Sequence, residues 1–541
     1  MDFFKKFYVC GVEGQNRSAA ICLALFVLKG FTDVIGVSSI IPFVSILVDE
    51  GAQDSNPIIA GLWNLGWFGT RQDLIIITGF MSLGLLIFSL FIGAFATYCQ
   101  LRYVYTREAR LTRRMLEVYL LREMEWRLEA TNADMSKNIL SETSVFVSRG
   151  LLAGFAIISN TITICAMVFF AFLLDAKLTF AAGGFVLLAY LFIVLASNRV
   201  LGRMGASRIH ANQQRFDMVD SFLRLFPEIF ILNKQSDAVS QFEKPVKNFQ
   251  QSTTVAAMIE RIPRFVVEAF TFGGLLLLSI IMLSGDESMA TGLPIIAGFA
   301  FAVYRIVPAV QGLFASWSKL KFVGPTVDLL YSSLRYDPPT MSATVSLLED
   351  DLNDRVVVFE DVNYSYPGET RGGLKSVNFA FQKGKRVGLM GESGSGKTTL
   401  LYCAAGLLSP TSGRISFARS RRCGEVGRLS TAYVPQQVQL FDGNVYENIS
   451  LGFGRECDED RVRYCCEKVG LASLINDGLL RGFETSLGDQ GNKLSAGQRQ
   501  RFGIARALYQ DPEFLILDEV TSNLDAPTEE VILDVIFGLF S

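Results

Sequence analysis

The sequence predicts a domain of six membrane-spanning helices, followed by an α/β domain that contains a phosphate-binding loop. Half of the 541 residues are apolar and 43 of them are phenylalanine, which is the composition of a membrane protein. Six long apolar segments precede residue 336. Beyond residue 354 the apolar stretches become short and alternate with helical patterns, as in a soluble α/β domain.

Each of the six apolar segments is long enough to cross a bilayer, which takes about 20 residues. The predicted spans cover residues 19–48, 73–100, 145–174, 178–197, 265–284 and 290–316. Lysine and arginine concentrate in the connections after the second and fourth spans. Because cytoplasmic loops carry the excess of basic residues, both termini are predicted to lie in the cytoplasm. The two basic connections are predicted to be helical stalks that turn near residues 124–132 and 211–222.

Three ionisable residues fall where the bilayer makes a charge costly, namely Asp33, Arg264 and Arg305. Each is therefore a candidate substrate-site residue. Both arginines are predicted to lie toward the inner leaflet, where a guanidinium fork could receive a phosphate or pyrophosphate headgroup. An internal ion pair with Asp33 or Glu268 is an equally open alternative.

The polar residues 336–354 include Pro338, Pro339 and an acidic cluster, and they are predicted to form a linker. The formal net charge of −3 gives no support for nucleic-acid binding. None of the nine cysteines is spaced like a zinc ligand, so reduced cytosolic thiols are expected.

The segment Gly391–Thr399 has the residue spacing of a nucleotide phosphate cradle. Glycines allow backbone N–H groups to turn inward, Lys397 supplies a point charge, and the Thr398 hydroxyl suits a magnesium ion. We expect Arg386–Met390 to form a buried strand before the loop, and a helix to follow it. The predicted contact residues are Gly391, Glu392, Ser393, Gly394, Ser395, Gly396, Lys397, Thr398 and Thr399.

Two further motifs supply chemistry for a bound nucleotide. Asp518 ends an apolar run, as a carboxylate held at a strand tip for magnesium would, and Glu519 follows where a water-polarising base could reach a γ-phosphate. A buried structural Asp-Glu pair is the alternative. Ser495 and Gly497, with the helical pattern from Gln498, offer a hydroxyl, backbone N–H groups and a helix dipole.

The ordered set of phosphate loop, Pro435-Gln436, Leu494–Gln498 and Phe514–Glu519 resembles the nucleotide-binding domain of ABC transporters. With the six preceding spans, the chain resembles an ABC exporter half-transporter. This resemblance implies a transmembrane domain over residues 1–335, the linker at 336–354 and a P-loop nucleotide-binding domain over 355–541.

The same resemblance implies ATP and Mg²⁺ as ligands and assigns roles to single residues. Glu519 and Gln436 are the implied catalytic residues, and Tyr366 is implied to stack on adenine. The implied metal ligands are Thr398, Gln436 and Asp518. Ser495, Ala496, Gly497 and Gln498 are implied to bind the nucleotide of the opposite protomer. Asp525 is a further implied nucleotide-binding residue.

Because one chain supplies one phosphate loop and one signature segment, Leu494–Gln498, the family resemblance implies a homodimer with two sites. Ala496 stands where the family usually has glycine, so weakened closure of the dimer is expected. The family also has a switch histidine beyond the catalytic glutamate, whereas the single histidine here is His210 and the sequence ends at Ser541. We therefore expect a C-terminally incomplete domain that binds ATP and turns it over slowly.

A closer resemblance links the membrane half to lipid-linked oligosaccharide flippases of the PglK type. It rests on Phe31–Asp33, Ile41–Phe43, an outer amphipathic segment at 56–68, Arg261–Arg264 and Tyr304–Pro308. It implies flipping of a lipid-linked oligosaccharide or similar polyprenyl-pyrophosphate glycolipid across a bacterial inner membrane. A peptide or multidrug exporter is the alternative. A membrane-tethered ABC ATPase with a regulatory role is the alternative from another class.

Overall fold

The computed structural model describes residues 2–11, 16–48, 70–174, 176–283, 289–335, 345–347, 354–366, 373–418, 429–454, 456–488, 494–520 and 526–538. Asp525 and the predicted outer amphipathic segment at 56–68 lie outside these residues. The chain divides into two compact units. One comprises Met1–Arg122 with Ala130–Asp337, and the other comprises Glu123–Glu129 with Pro338–Ser541.

Besides the three-residue helix Thr143–Val145, eleven α-helices precede the sheets in the described part of the chain. They are α1 (Asp2–Gly11), α2 (Asn16–Ser38), α3 (Ile40–Val48), α4 (Arg71–Leu120), α5 (Met124–Glu129), α6 (Asn132–Ser136), α7 (Leu152–Leu174), α8 (Ala176–Arg224), α9 (Phe226–Ile231), α10 (Gln235–Leu283) and α11 (Met289–Leu334). All but α5 belong to the first unit.

The long helices of the first unit contain long apolar stretches, and one of them begins with a capping box. A capping box starts α4, because Thr70 accepts from the Asp73 N–H while Asp73 accepts from the Thr70 N–H. In the described part, Arg17–Leu47, Gln72–Leu120 and Asn132–Leu173 are long and apolar enough to cross a membrane. The count of six spans stays a prediction.

A buried ion pair joins three helical segments of the first unit. Two π-helical stretches, Lys137–Glu142 and Phe146–Leu151, lie between α6 and α7. Glu142 ends the first of them and accepts from Arg208 of α8 at 2.5 Å and from Thr326 of α11 at 3.2 Å. Both members of the pair are buried. One carboxylate therefore holds three segments together.

The turns between the long helices lie only partly where the sequence predicts them. The first predicted turn, near residues 124–132, is confirmed, since α4 ends at Leu120 and the short α5 follows. The prediction of a second turn near residues 211–222 is wrong, because α8 continues to Arg224. That segment contains no glycine or proline to stop a helix, whereas Pro227 lies in the first turn of α9.

The described residues of the second unit form two sheets. Strands β1 (Val345–Leu347), β2 (Arg355–Tyr364), β3 (Leu374–Gln382) and β4 (Ser412–Phe417) form a sheet of order β1-β4-β2-β3. Only β1 and β4 are parallel neighbours in it. Strands β5 (Thr431–Val434) and β6 (Phe514–Leu517) form a parallel pair. The strand β1 lies within the residues predicted to form the linker.

Five further α-helices belong to the described part of this unit, namely α12 (Lys397–Ala404), α13 (Val445–Ser450), α14 (Glu459–Lys468), α15 (Ala496–Tyr509) and α16 (Ala526–Gly538). One core cluster joins Cys403 of α12 to Phe359 of β2 and Ile516 of β6, and Met124 of α5 packs against it. A second cluster joins Phe502 of α15 to Val434 of β5. The two cores fix the helices that carry the site.

The predicted strand at Arg386–Met390 is wrong. These residues have neither helical nor strand structure, and Met390 is 97% exposed. Both sheets form without this segment, so its backbone has no ladder partner among the residues described. The phosphate loop is consequently held by its own packing and by α12.

Candidate functional site

The phosphate loop leads directly into α12 and depends on glycine at defined positions. Gly394 and Gly396 have φ angles of +81° and +92°, which side chains rarely adopt. A Cβ on Gly391 would lie 2.7 Å from Ser395 Oγ, and one on Gly396 would lie 2.9 Å from the carbonyl oxygen of Gly373. Only glycine therefore permits this compact loop, whose backbone N–H groups and helix N-terminus suit an anion.

The Lys397 side chain folds back onto the phosphate loop. Lys397 Nζ donates to the carbonyl oxygens of Gly391 and Glu392, both at 2.8 Å. Thr398 is exposed, whereas Thr399 is buried and its hydroxyl bonds to Tyr366 Oη at 3.0 Å. The Tyr366 ring also packs edge-on against Tyr364, with centroids 5.0 Å apart. Tyr366, the predicted adenine contact, is thus anchored to the helix that follows the loop.

The parallel pair β5 and β6 brings three predicted residues to one edge. Val434 and Leu517 are register partners, so Gln436, Asp518 and Glu519 emerge side by side. Gln436 Nε2 donates to Glu519 Oε2 at 2.5 Å. Glu519 has a φ angle of +49°, a left-handed conformation that costs energy in a non-glycine residue and is typical of functional sites.

The predicted magnesium ligands are oxygen donors, which is the ligand type that Mg²⁺ takes. An Asp518 carboxylate oxygen and the Gln436 side-chain carbonyl lie at this edge, since the amide nitrogen of Gln436 is committed to Glu519, and the Thr398 hydroxyl lies in the first turn of α12. The predicted donor set therefore matches Mg²⁺ chemically. Groups of histidine, cysteine and acidic side chains that could hold another metal do not occur among the described residues.

The signature segment begins α15 with a complete capping box. Ser495 Oγ accepts from the Gln498 N–H at 3.2 Å, and Gln498 Oε1 accepts from the Ser495 N–H at 2.8 Å. The hydroxyl hydrogen of Ser495 is not used by this cap, so it can be donated to a phosphate oxygen. Ala496 and Gly497 form the first turn, where helical N–H groups lack intrahelical partners.

Three further residues that hold the elements around the site are not predicted from the sequence. Buried Gln500 of α15 donates to the Pro435 carbonyl at 3.4 Å, next to Gln436. Arg506 donates to the Asn448 carbonyl at 3.0 Å. Tyr433 donates to Asp518 Oδ2 at 3.1 Å. Polar residues at core-facing positions of α15 are the only sequence signal that points to the first two.

In the helical unit, the structure brings together two of the three candidate substrate residues. Arg305 Nη1 lies 3.0 Å from Asp33 Oδ1, and Ser89 Oγ donates to the same carboxylate oxygen at 2.6 Å. The Asp33 side chain is 2% exposed and that of Arg305 is 18% exposed. Arg264 pairs instead with Glu268, one helical turn away, at 2.6 Å. Both arginines therefore form internal ion pairs, with Asp33 and Glu268, which the sequence offered as the alternative to headgroup binding.

Comparison with known proteins agrees with this arrangement. Residues 374–522 match the family model for ABC transporters. An ATP-dependent lipid A-core flippase of Cupriavidus pinatubonensis is 26% identical over 399 residues, which cover 72% of this chain and 64% of the relative. One of Ralstonia nicotianae is 42% identical over 176 residues, which cover 32% of this chain and 30% of the relative. The chain thus spans less than two thirds of the length of these relatives.

A solved structure supports the same fold over nearly the whole chain. The structure of a bacterial Atm1-family ABC exporter with ATP bound matches with a TM-score of 0.78 at 18% identity, and the match covers 98% of this chain and 90% of that one. The chain therefore carries an ABC transporter ATPase domain and has the fold of an ABC exporter half-transporter.

Proposed function

We propose that the chain uses ATP to export or flip an amphipathic lipid across a bacterial inner membrane, as a homodimer with cytoplasmic termini. The observation that carries the ATP-dependent part is the contact between Gln436 and Glu519 at the tips of β5 and β6. This contact supports a role for Glu519 in water activation, because its carboxylate lies beside the Gln436 amide in the domain that also carries the phosphate loop.

Each group of the site has a task in nucleotide binding. Lys397 exchanges its two bonds to loop carbonyls for bonds to phosphate oxygens, and the N–H groups at the start of α12 bind the same phosphates. Tyr366 stacks on adenine. Bound Mg²⁺, held by Thr398, Gln436 and Asp518, would neutralise phosphate charge. Glu519 orients the attacking water.

Two observations support a dimer. Ser495 caps α15 while retaining a hydrogen to donate, which suits the nucleotide of a second copy. The helix α9, at the turn between α8 and α10, exposes Phe226, Phe230 and Ile231. The comparable short helix α5 packs through Met124 into the core of the second unit. We infer that α9 docks in a similar way on the nucleotide-binding domain of the partner.

A lipid with a phosphorylated headgroup fits the helical unit. Asp33 is buried, whereas its partner Arg305 keeps an exposed edge, so a phosphate can compete with the carboxylate for the guanidinium fork. The relatives named lipid A-core flippases support a lipid substrate. A polyprenyl-pyrophosphate glycolipid is our first choice because of the sequence resemblance.

ATPase measurements in liposomes test this function. We expect a polyprenyl-pyrophosphate glycolipid to stimulate hydrolysis by the wild type. Arg305→Gln combined with Asp33→Asn should abolish the stimulation while keeping the basal rate, because this double variant leaves no buried carboxylate unpaired. Glu268→Gln, which changes the other ion pair, is the matched control. Full stimulation of the double variant would reject the headgroup role and leave the ion pair as structural.

The same assay separates the alternatives. Stimulation by peptides or drugs but not by glycolipids would favour a peptide or multidrug exporter. A basal ATPase that no substrate stimulates, together with no transport into sealed vesicles, would favour a membrane-tethered regulatory ATPase.

A further inference from the structure

Tyr433 contacts Asp518, the predicted carboxylate ligand of Mg²⁺. Tyr433 and Ile516 are register partners in β5 and β6, and the Asp518 N–H extends the ladder to the Val434 carbonyl at 3.0 Å. Since side chains alternate along a strand, Asp518 projects from the same face as Ile516 and Tyr433. The Tyr433 hydroxyl donates to Asp518 Oδ2 at 3.1 Å. It is the one side-chain donor to Asp518 within the described ranges.

The helix that follows the phosphate loop holds the Tyr433 ring. Tyr402 of α12 meets Tyr433 edge-on, with centroids 5.7 Å apart and an interplanar angle of 69°. Both rings pack against the core cluster that contains Ile516 and Cys403. Tyr433 is therefore fixed at both ends, by α12 at its ring and by Asp518 at its hydroxyl.

A phenol hydroxyl carries one hydrogen and an ionised carboxylate only accepts, so Tyr433 is the donor in this hydrogen bond. A bond to Oδ2 restricts rotation of the Asp518 carboxylate, so Oδ1 keeps one orientation.

We propose that Tyr433 is a positioning residue, which orients the Asp518 carboxylate so that its second oxygen can bind a divalent cation. Tyr402 keeps Tyr433 in register with the phosphate-loop helix. This proposal rests on the proposed ATP-dependent function. It concerns the cation and not the nucleotide, and the two are separable by experiment.

Tyr433→Phe in the full-length chain is the direct test, because it removes the hydroxyl and keeps the ring. Mn²⁺ affinity is measured by electron paramagnetic resonance with a non-hydrolysable ATP analogue, and nucleotide affinity is measured in EDTA. We expect Mn²⁺ affinity and the Mg²⁺ concentration for half-maximal ATPase each to weaken about tenfold, as for one lost hydrogen bond to a charged group. Nucleotide affinity in EDTA should be unchanged.

Two further variants sharpen the test. Tyr509→Phe is the matched control, since Tyr509 bonds to the Asp458 N–H, at 3.3 Å, and not to the site. It should leave Mn²⁺ affinity unchanged. In an Asp518→Asn background, Tyr433→Phe should have almost no further effect on Mn²⁺ affinity, because the two residues act as a unit.

The outcomes distinguish failure of the proposed function from failure of the positioning role of Tyr433. Wild-type chain that binds neither nucleotide nor Mn²⁺–nucleotide would reject the proposed function itself. Normal wild-type binding with unchanged Mn²⁺ affinity in Tyr433→Phe would overturn the positioning role alone. Loss of nucleotide binding in EDTA by Tyr433→Phe would also overturn it, because the hydroxyl would then support the fold of the loop.

Discussion

Replacing Glu142 by alanine is expected to destabilise the helical unit strongly. The Glu142 side chain is 0% exposed and that of Arg208 is 4% exposed. The carboxylate accepts from Arg208 at 2.5 Å, from Asn212 at 3.1 Å and from Thr326 at 3.2 Å. Its removal leaves a buried guanidinium without an anion, which costs about 3–5 kcal/mol. At 2–4 °C per kcal/mol, the melting temperature should fall by roughly 10 °C.

Thermal unfolding of detergent-purified chain, followed by intrinsic fluorescence, measures this effect. Glu117→Ala is the matched control, because Glu117 pairs with Arg113 at 2.7 Å on an exposed helix surface. Such a pair contributes less than about 1 kcal/mol. Glu142→Leu with Arg208→Met should recover most of the loss, since it removes both buried charges. Wild-type melting of Glu142→Ala, or no recovery in the double variant, would refute the reasoning.

Four further predictions follow from the second unit and from α9. Lys397→Ala should weaken ATP binding at least about tenfold in equilibrium titrations, because the one cationic side chain in the loop motif is lost; unchanged affinity would contradict the cradle. Glu519→Gln should bind ATP normally yet release phosphate about 10²–10⁴-fold more slowly, and near-normal release would exclude it as the base. Phe230→Asp should lower the yield of cross-linked dimer, since it places a charge on the apolar surface of α9; an undiminished yield would remove α9 from the interface. Burial, with a smaller contribution from Glu125, raises the pKa of Cys403 to about 12, so this thiol should resist maleimide at pH 8 until the chain is denatured; rapid labelling of folded chain would show that α12 opens.

The sequence was sufficient for features that depend on local spacing. The glycines of Gly391–Gly396 are dictated by φ angles and close contacts within a few residues, so their pattern is readable without a structure. The loop therefore needs no knowledge of distant packing. By contrast, Gln436 and Glu519 are 83 residues apart and meet because β5 and β6 are parallel and end at one edge, and the sequence assigned both to the site through the family resemblance.

Other features depend on packing that composition does not reveal. Arg208 is one of many arginines in the basic connections and counts there as a topology signal, yet it is buried against Glu142. The sequence alone does not determine the partners of Asp33 and Arg305, because three helices have to meet before Ser89 reaches the carboxylate. The strand predicted at Arg386–Met390 failed because an apolar run becomes a strand only where neighbours supply a ladder.

ATP-driven movement of lipid in sealed proteoliposomes tests the central proposal most directly. A fluorescent polyprenyl-pyrophosphate glycolipid would be placed in the leaflet that faces the nucleotide-binding domain, and its transfer followed by quenching from one side. We predict transfer that needs Mg²⁺ and ATP and is lost in Glu519→Gln. Steady ATP hydrolysis by the wild type without lipid transfer would contradict the proposal.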